Sequence, residues 1–257
     1  MSSAPSKLEA GGTPGDPSRA SRVAAVSGAA GEVGQAVVGA LLERGWAVAA
    51  FDAVTPPVSA ARGVTLDPRD RDAVRHELEA IAAELGDVDC LIAVAQPSAP
   101  RPVAEIAISD WRAALDAQLL SVANFAWAVL PAMLRRRCGN IVTVGSDVAR
   151  GAPGGDAMQA AAAGSVIGFA KALAIELAKT GVQVNAISAQ LPHEPSDGAG
   201  SSANDSDAAD DDARRVATTP LGRPVLAAEI AATAAYLAGE RHFFLGQILS
   251  PNGGRVI

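Results

Sequence analysis

Apolar and polar positions along the chain fall into two alternating patterns. Short apolar runs occupy residues 23–27, 47–52, 63–66 and 89–95, and recur at 140–145, 183–188 and 247–250. Runs this short and this continuously apolar match strands covered on both faces, as in a parallel sheet. Stretches with helical periodicity lie between them, at 33–44, 70–85, 109–137, 156–180 and 227–238. This alternation predicts an α/β fold, a doubly wound parallel sheet in a single domain spanning 22–257.

The stretch 156–180 is apolar or small around nearly its whole circumference, from Ala160 through Gly164, Val166, Ile167 and Phe169 to Ala170. A helix apolar on all sides needs cover on all sides. The sheet supplies one side, so the other is expected to face a partner subunit; cover by a neighbouring helix of the same chain is the alternative. Two segments carry no such periodicity. Residues 1–21 are rich in Ser, Pro and Gly without the apolar core of a signal peptide, and predict a disordered arm. Residues 196–213 predict an acidic disordered insertion, placed either as a lid or as a solvated loop.

Charge narrows the partners. The net charge is −7, and residues 194–212 hold seven acids and no base, so the remainder is near neutral. No Lys/Arg cluster exceeds Arg135–Arg137, which argues against a nucleic-acid surface. Cys90 and Cys138 form no metal-ligand spacing and read as inert reduced thiols, with no metal site expected. Charges, Gly and Pro interrupt the apolar runs, so no membrane span is expected and the protein reads as cytoplasmic.

The chemistry begins at Ser27-Gly28-Ala29-Ala30-Gly31-Glu32-Val33-Gly34, between the first strand and the first helix. Glycines there permit a tight turn and close backbone approach to a pyrophosphate at a helix N-terminus. Asp52 follows 18 residues after Gly34, at the end of the second strand. A carboxylate in that position binds ribose hydroxyls and repels a 2′-phosphate, favouring NAD and disfavouring NADP. Asp67, after the third strand, suits a contact to an adenine amine.

These segments resemble the short-chain dehydrogenase/reductase family. The resemblance runs through Leu66-Asp67-Pro68, Gly139-Asn140-Ile141-Val142 leading to Ser146, and Lys171-Ala-Leu-Ala-Ile-Glu-Leu-Ala178. Val184-Asn185-Ala186, Pro220-Leu-Gly-Arg-Pro224 and Gly246-Gln247 with Gly253-Gly254 complete it. It implies a seven-stranded Rossmann-type sheet, a dimer or tetramer, and a nicotinamide cofactor held by Gly28, Gly31, Glu32, Val33, Gly34, Asp52, Asp67, Pro68 and Ala95.

The catalytic positions depart from the family pattern. The family places Asn, Ser and a Tyr-x-x-x-Lys pair together, the cation lowering the phenol's pKa for proton transfer. Registered on 167–178, the chain puts Gln159 at the Tyr position and Ala163 at the Lys position. Ser146 stands 13 residues before Gln159, at the Ser position, and Gln118 stands at the Asn position. The single tyrosine is Tyr236 and the lysines are Lys7, Lys171 and Lys179, so no shifted register restores the pair. Ala93-Val94-Ala95-Gln96 replaces Asn-Asn-Ala-Gly, Ala189-Gln190 replaces Pro-Gly, and Glu32 opposes a pyrophosphate unless it turns to solvent.

These departures predict weak or absent NAD binding and a non-catalytic (pseudoenzyme) subunit. Such a subunit would assemble with an active NAD-dependent relative, in a homo- or hetero-oligomer, through the 109–137 and 156–180 helices. Two alternatives stand beside it. One is an atypical enzyme, redox or non-redox, whose cleft uses Ser146, Asp147, Gln159, Gln190, His193 and Glu194, with His193 the replacement acid. The other is an NAD(H) sensor.

Overall fold

The computed structural model describes residues 21–57, 62–95, 101–151, 157–191, 213, 216–239 and 242–256. Seven strands form one sheet: β1 (Val23–Ser27), β2 (Ala47–Asp52), β3 (Arg62–Thr65), β4 (Cys90–Val94), β5 (Gly139–Ser146), β6 (Val182–Ala189) and β7 (Ile248–Leu249). Their order is β3-β2-β1-β4-β5-β6-β7, and every pairing is parallel. Strand order reverses between β1 and β4, the switch point at which ligands bind in such sheets. The arm and the acidic insertion lie outside the described residues, apart from Ser21 and Ala213.

Each strand sends alternate side chains to opposite faces, and each face has its own helices. Ala24 and Val26 of β1, Ile92 and Val94 of β4, Val142 and Val144 of β5, and Ile187 and Ala189 of β6 share one core. The helices α1 (Glu32–Leu42) and α6 (Ala227–Gly239) cover it. Leu91, Ile141, Val182, Val184 and Ala186 face the other way, beneath α2 (Arg71–Glu84), α4 (Ser121–Arg136) and α5 (Ala157–Leu177). The near-continuous apolar strands follow from this double cover.

The stretch expected as one helix over 109–137 is divided. α3 (Ile108–Leu115) passes into a π-helical turn at Asp116–Leu120 before α4 begins. The wider turn carries one extra residue per loop of backbone, and such turns gather at functional positions. Two stretches, 108–136 and 157–177, are long and apolar enough by composition alone to cross a membrane. This differs from the expectation that charges, Gly and Pro keep every apolar run short. Both stretches bury a face within the protein, α4 through Phe125, Val129 and Met133, and α5 through Ala170, Leu173 and Leu177.

Arg136, one of the three consecutive arginines, closes the lower edge of the sheet. It donates to Asp89 Oδ1 and, at 2.6 Å, to the Val88 carbonyl, while Asp89 Oδ2 accepts from the Val23 amide at 2.9 Å. Asp89 is buried, so Arg136→Met takes the guanidinium from a desolvated carboxylate. We expect urea denaturation of this variant to show a loss of about 2 kcal/mol.

A second charged joint starts α6. Arg223 donates to both oxygens of Glu229, at 2.9 and 2.6 Å, and the Leu226 amide donates to Glu229 Oε2. The Arg223 hydrogen bonds, then the Leu226 amide, hold the Glu229 carboxyl down at about 2. A carboxyl depressed in the folded state contributes stability above its unfolded pKa and loses it as pH falls through the folded one. Carboxyl-carbon NMR should therefore place the Glu229 midpoint near 2, and Arg223→Met should return it toward the ordinary glutamate range.

Candidate functional site

The glycine turn is built by close contact. Gly28 has φ +71°, and a Cβ placed on it would lie 2.3 Å from the Val94 carbonyl oxygen of β4. A Cβ on Gly34 would lie 2.0 Å from the Gly28 carbonyl oxygen, so α1 seats directly on the turn. Gly31 caps α1 in an extended conformation. Val33 points into the core beside Ala29 and Val37, so that its side chain anchors the helix. Glu32 is exposed in the first turn of α1, where the helix dipole favours a carboxylate.

Asp52 ends β2 beside this turn. Its Oδ2 accepts from the Ala30 amide at 2.9 Å and its Oδ1 from the Ala53 amide at 2.7 Å. The backbone repeats the connection, Ala29 N donating to the Phe51 carbonyl at 3.1 Å. The carboxylate is therefore oriented before any ligand arrives, half-buried and within reach of the switch point. Asp67 is occupied differently. Arg69 donates to both its oxygens through its side chain, at 2.9 and 2.8 Å, and through its amide at 2.9 Å. The side-chain bond to Arg69 is the main cause holding the Asp67 carboxyl below its ordinary value. An adenine amine would have to share these oxygens with Arg69. Asn124 of α4 fixes the same corner, donating to the carbonyls of Pro68 and Arg69. Ala95 is buried, its amide bonded to the Val144 carbonyl.

Ser146, Gln118, Gln159 and Ala163, the residues expected at the family's catalytic positions, gather at the C-terminal edge of β5. Ser146 ends β5 and caps a 3-10 turn at Asp147–Arg150, its Oγ accepting from the Val148 amide at 3.4 Å. α5 packs against that turn and against the π-helical turn. Gln118 in the π turn, and Gln159 and Ala163 in the first turns of α5, are all buried. His193 and Glu194 lie outside the described residues. Tyr236 sits away from this edge, on the last turns of α6, its ring tilted against His242 and edge-on to Phe244. His242 and Phe244 in turn receive the side chain of Gln183, at the start of β6. Lys171 is exposed on α5, two turns beyond Ala163. Among the described residues no phenol or ammonium stands at the Ser146 edge.

Two features there were not read from the sequence. Arg255, near the C-terminus, pairs with the buried Asp147 at 3.2 Å, both side chains almost wholly enclosed. Arg150 similarly donates to Ser250 Oγ. A chain separation of 108 residues leaves no local pattern from which to find the first contact. Ser188, two residues before Gln190, has its Oγ buried without a hydrogen-bond partner, and so has Gln190 Oε1. A polar residue continuing the apolar face of a strand was the available signal.

Fold and strand order together define a doubly wound, parallel α/β protein. A family model described as enoyl-(acyl carrier protein) reductase matches residues 28–255. The chain belongs to the short-chain dehydrogenase/reductase family. The 3-oxoacyl-(acyl-carrier-protein) reductase of Salmonella typhimurium is 34% identical over 196 residues, 75% of this chain and 77% of that protein. The Vibrio harveyi protein of the same name is 30% identical over 236 residues, 86% of this chain and 92% of the relative. A short-chain dehydrogenase from Leptospira borgpetersenii with bound NAD+ superposes with TM-score 0.80 at 20% identity, covering 92% of this chain and 93% of that one. Aldohexose dehydrogenase from Thermoplasma acidophilum, ligand-free, gives 0.81 at 22% identity, covering 91% and 94%.

Gly28→Ala tests the turn. Positive φ and the contact with Val94 act together, and we expect a loss of about 3 kcal/mol in chemical denaturation, whereas Gly39→Ala, inside α1 and with no described atom within 4 Å of its Cβ, should gain up to about 1 kcal/mol.

Proposed function

We propose that this chain is a non-catalytic subunit of the short-chain dehydrogenase/reductase family that keeps the adenosine end of a nicotinamide-dinucleotide site. The observation that carries the reading is the character of the Ser146 edge: neutral amides and a methyl, Gln118, Gln159 and Ala163, are buried there. Carbonyl reduction needs a proton delivered as hydride arrives, and a carboxamide cannot deliver it at neutral pH. His193 remains the proposed alternative acid.

The residues present fit a dinucleotide at one end. Gly28, Gly31 and Gly34 carry no side chain that would stand in the way of backbone approach, Asp52 is held by the Ala30 amide of the same turn, and Glu32 is exposed. Bound there, a nicotinamide dinucleotide would supply hydride-transfer chemistry; the chain's own residues would hold its adenosine ribose and exclude a 2′-phosphate. The far end lacks a cation to hold the second ribose, so NAD binding is weak.

Assembly is the proposed role, in the cytoplasm, with homo- or hetero-oligomeric partners of the same family. Its support is the outward face of α5, where Ala161, Gly168, Ala172 and Ile175 are exposed and Gly164 and Gly168 have open space above them. Exposed Leu120 and Leu134 lie on the 109–137 stretch.

A second reading, an active reductase, is favoured by the names of the relatives. Calorimetric titration with NAD+, NADH and NADPH, followed by NAD(P)H oxidation with a 3-oxoacyl thioester, separates the two. We expect dissociation constants on the order of 1 mM or weaker and no oxidation above the buffer rate. Turnover by the purified chain would replace the subunit reading with the reductase one. A strictly homo-oligomeric protein from the native host would remove the active-partner element.

A further inference from the structure

The chain leaves β7 at Leu249 and continues through 250–256 without another helix or strand among the described residues. This short segment holds its own shape. Asn252 is buried; its side-chain Nδ2 donates to the Val256 carbonyl at 3.0 Å and its Oδ1 accepts from the Gly254 amide at 3.1 Å. Gly253 and Gly254 stand at φ +63° and +87°, left-handed values that bend the chain around that side chain. The Arg255 amide closes the bend by donating to the Asn252 carbonyl at 3.2 Å.

Two turns are tied to it. The first is the 3-10 turn Asp147–Arg150 that Ser146 caps: Arg255 donates to Asp147 Oδ1 at 3.2 Å, and Arg150 donates to Ser250 Oγ. The second is the turn 219–222, closed by the Gly222 amide donating to the Thr219 carbonyl at 2.8 Å. Pro220 occupies its second position, where the fixed φ of proline suits such a turn. The Leu221 amide donates to the Gly253 carbonyl at 3.2 Å. A Cβ on Gly253 would lie 2.6 Å from Thr219 Cγ2, and one on Gly254 would lie 3.4 Å from Pro220, so the segment seats closely on this turn. Beyond it, Arg223 and Glu229 carry the connection into α6.

Neither attachment is readily lost alone. The Asp147 side chain is wholly enclosed and that of Arg255 is 6% exposed, so parting them leaves a desolvated charge. The carboxylate reaches water only if the 3-10 turn opens, and Arg255 leaves only if the bend around Asn252 moves with it. That bend carries Gly253, and with it the carbonyl that holds Leu221. We propose that 250–256 is a strap that regulates the Ser146 edge. Through it the 3-10 turn and the 219–222 turn open and close as one unit, so displacing the C-terminal segment loosens Ser146. The inference rests on the placement of the family's catalytic positions at that edge, above, but not on whether they turn a substrate over. Coupling between two sites is reciprocal, so a disturbance at either turn must be felt at the other.

Hydrogen–deuterium exchange of the full chain, read by mass spectrometry, tests the strap from both ends. Arg255→Met takes the cation from Asp147. We expect exchange about tenfold faster in peptides over 146–151 and also over 219–223, with peptides of β1 and α1 at their former rates. Pro220→Gly slackens the second turn without altering any residue of 250–256 or 146–151. We expect it to speed exchange about threefold over 219–223, and over 146–151 as well. Should Arg255→Met fail to fold, Ser250→Ala, which releases Arg150 alone, serves in its place, with about threefold acceleration at both turns. Acceleration confined to the turn that was altered would overturn the strap. So would equal acceleration in β1 and α1, since the two turns would then open only with the whole fold. Exchange is measured without cofactor or substrate, so its failure is distinct from a positive turnover assay.

Discussion

A sheet whose strands all run the same way cannot close by hairpins; every strand must return through a crossover, and each crossover helix must bury one face of the sheet. In this chain that constraint orders almost everything else. It demands apolar side chains on both faces of each strand, divides the interior into two cores, and puts every strand-to-helix turn at one edge. At the switch between β1 and β4 that edge is pinched. Gly28 lies against the Val94 carbonyl and Gly34 against Gly28, so strand, turn and helix pack without room for a side chain at either glycine. Asp52 is tied to the same turn through Ala30.

The same edge shows two different chemistries along its length. At β1 and β2 it offers backbone amides and a pre-oriented carboxylate, the combination that receives a ribose beside a pyrophosphate. Near the end of β5 the described residues include neutral groups, Ser146, Gln118, Gln159 and Ala163. Charged side chains at such an edge need water or partners; neutral ones can be enclosed. Gln118, Gln159 and Gln190 are enclosed, and a described carboxylate beside them, Asp147, is matched by Arg255 from the C-terminal segment. The C-terminus thereby becomes part of the floor beside Ser146.

Much of this was legible from residues in order. The apolar runs placed β1 and β2 to the residue and the others within one or two, because doubly covered strands leave an unmistakable pattern. Gly28, Gly34 and Asp52 were legible because backbone conformation and ribose binding restrict residue type at a local spacing. The π turn was not, since Asp116–Leu120 carries no residue that demands it; the extra residue is accommodated by packing against α5.

The sequence alone determined the fold class, the glycine turn, and the want of any Tyr–Lys pair, because these depend on local periodicity, on backbone sterics and on composition. Only the tertiary structure decided that Glu32 is exposed, that Asp67 is engaged by Arg69, that Asp147 is neutralised from 108 residues away, and that Ser188 and Gln190 are buried. Those outcomes depend on which side chains meet across elements. Crossover geometry brings such residues together over distances that no periodicity records.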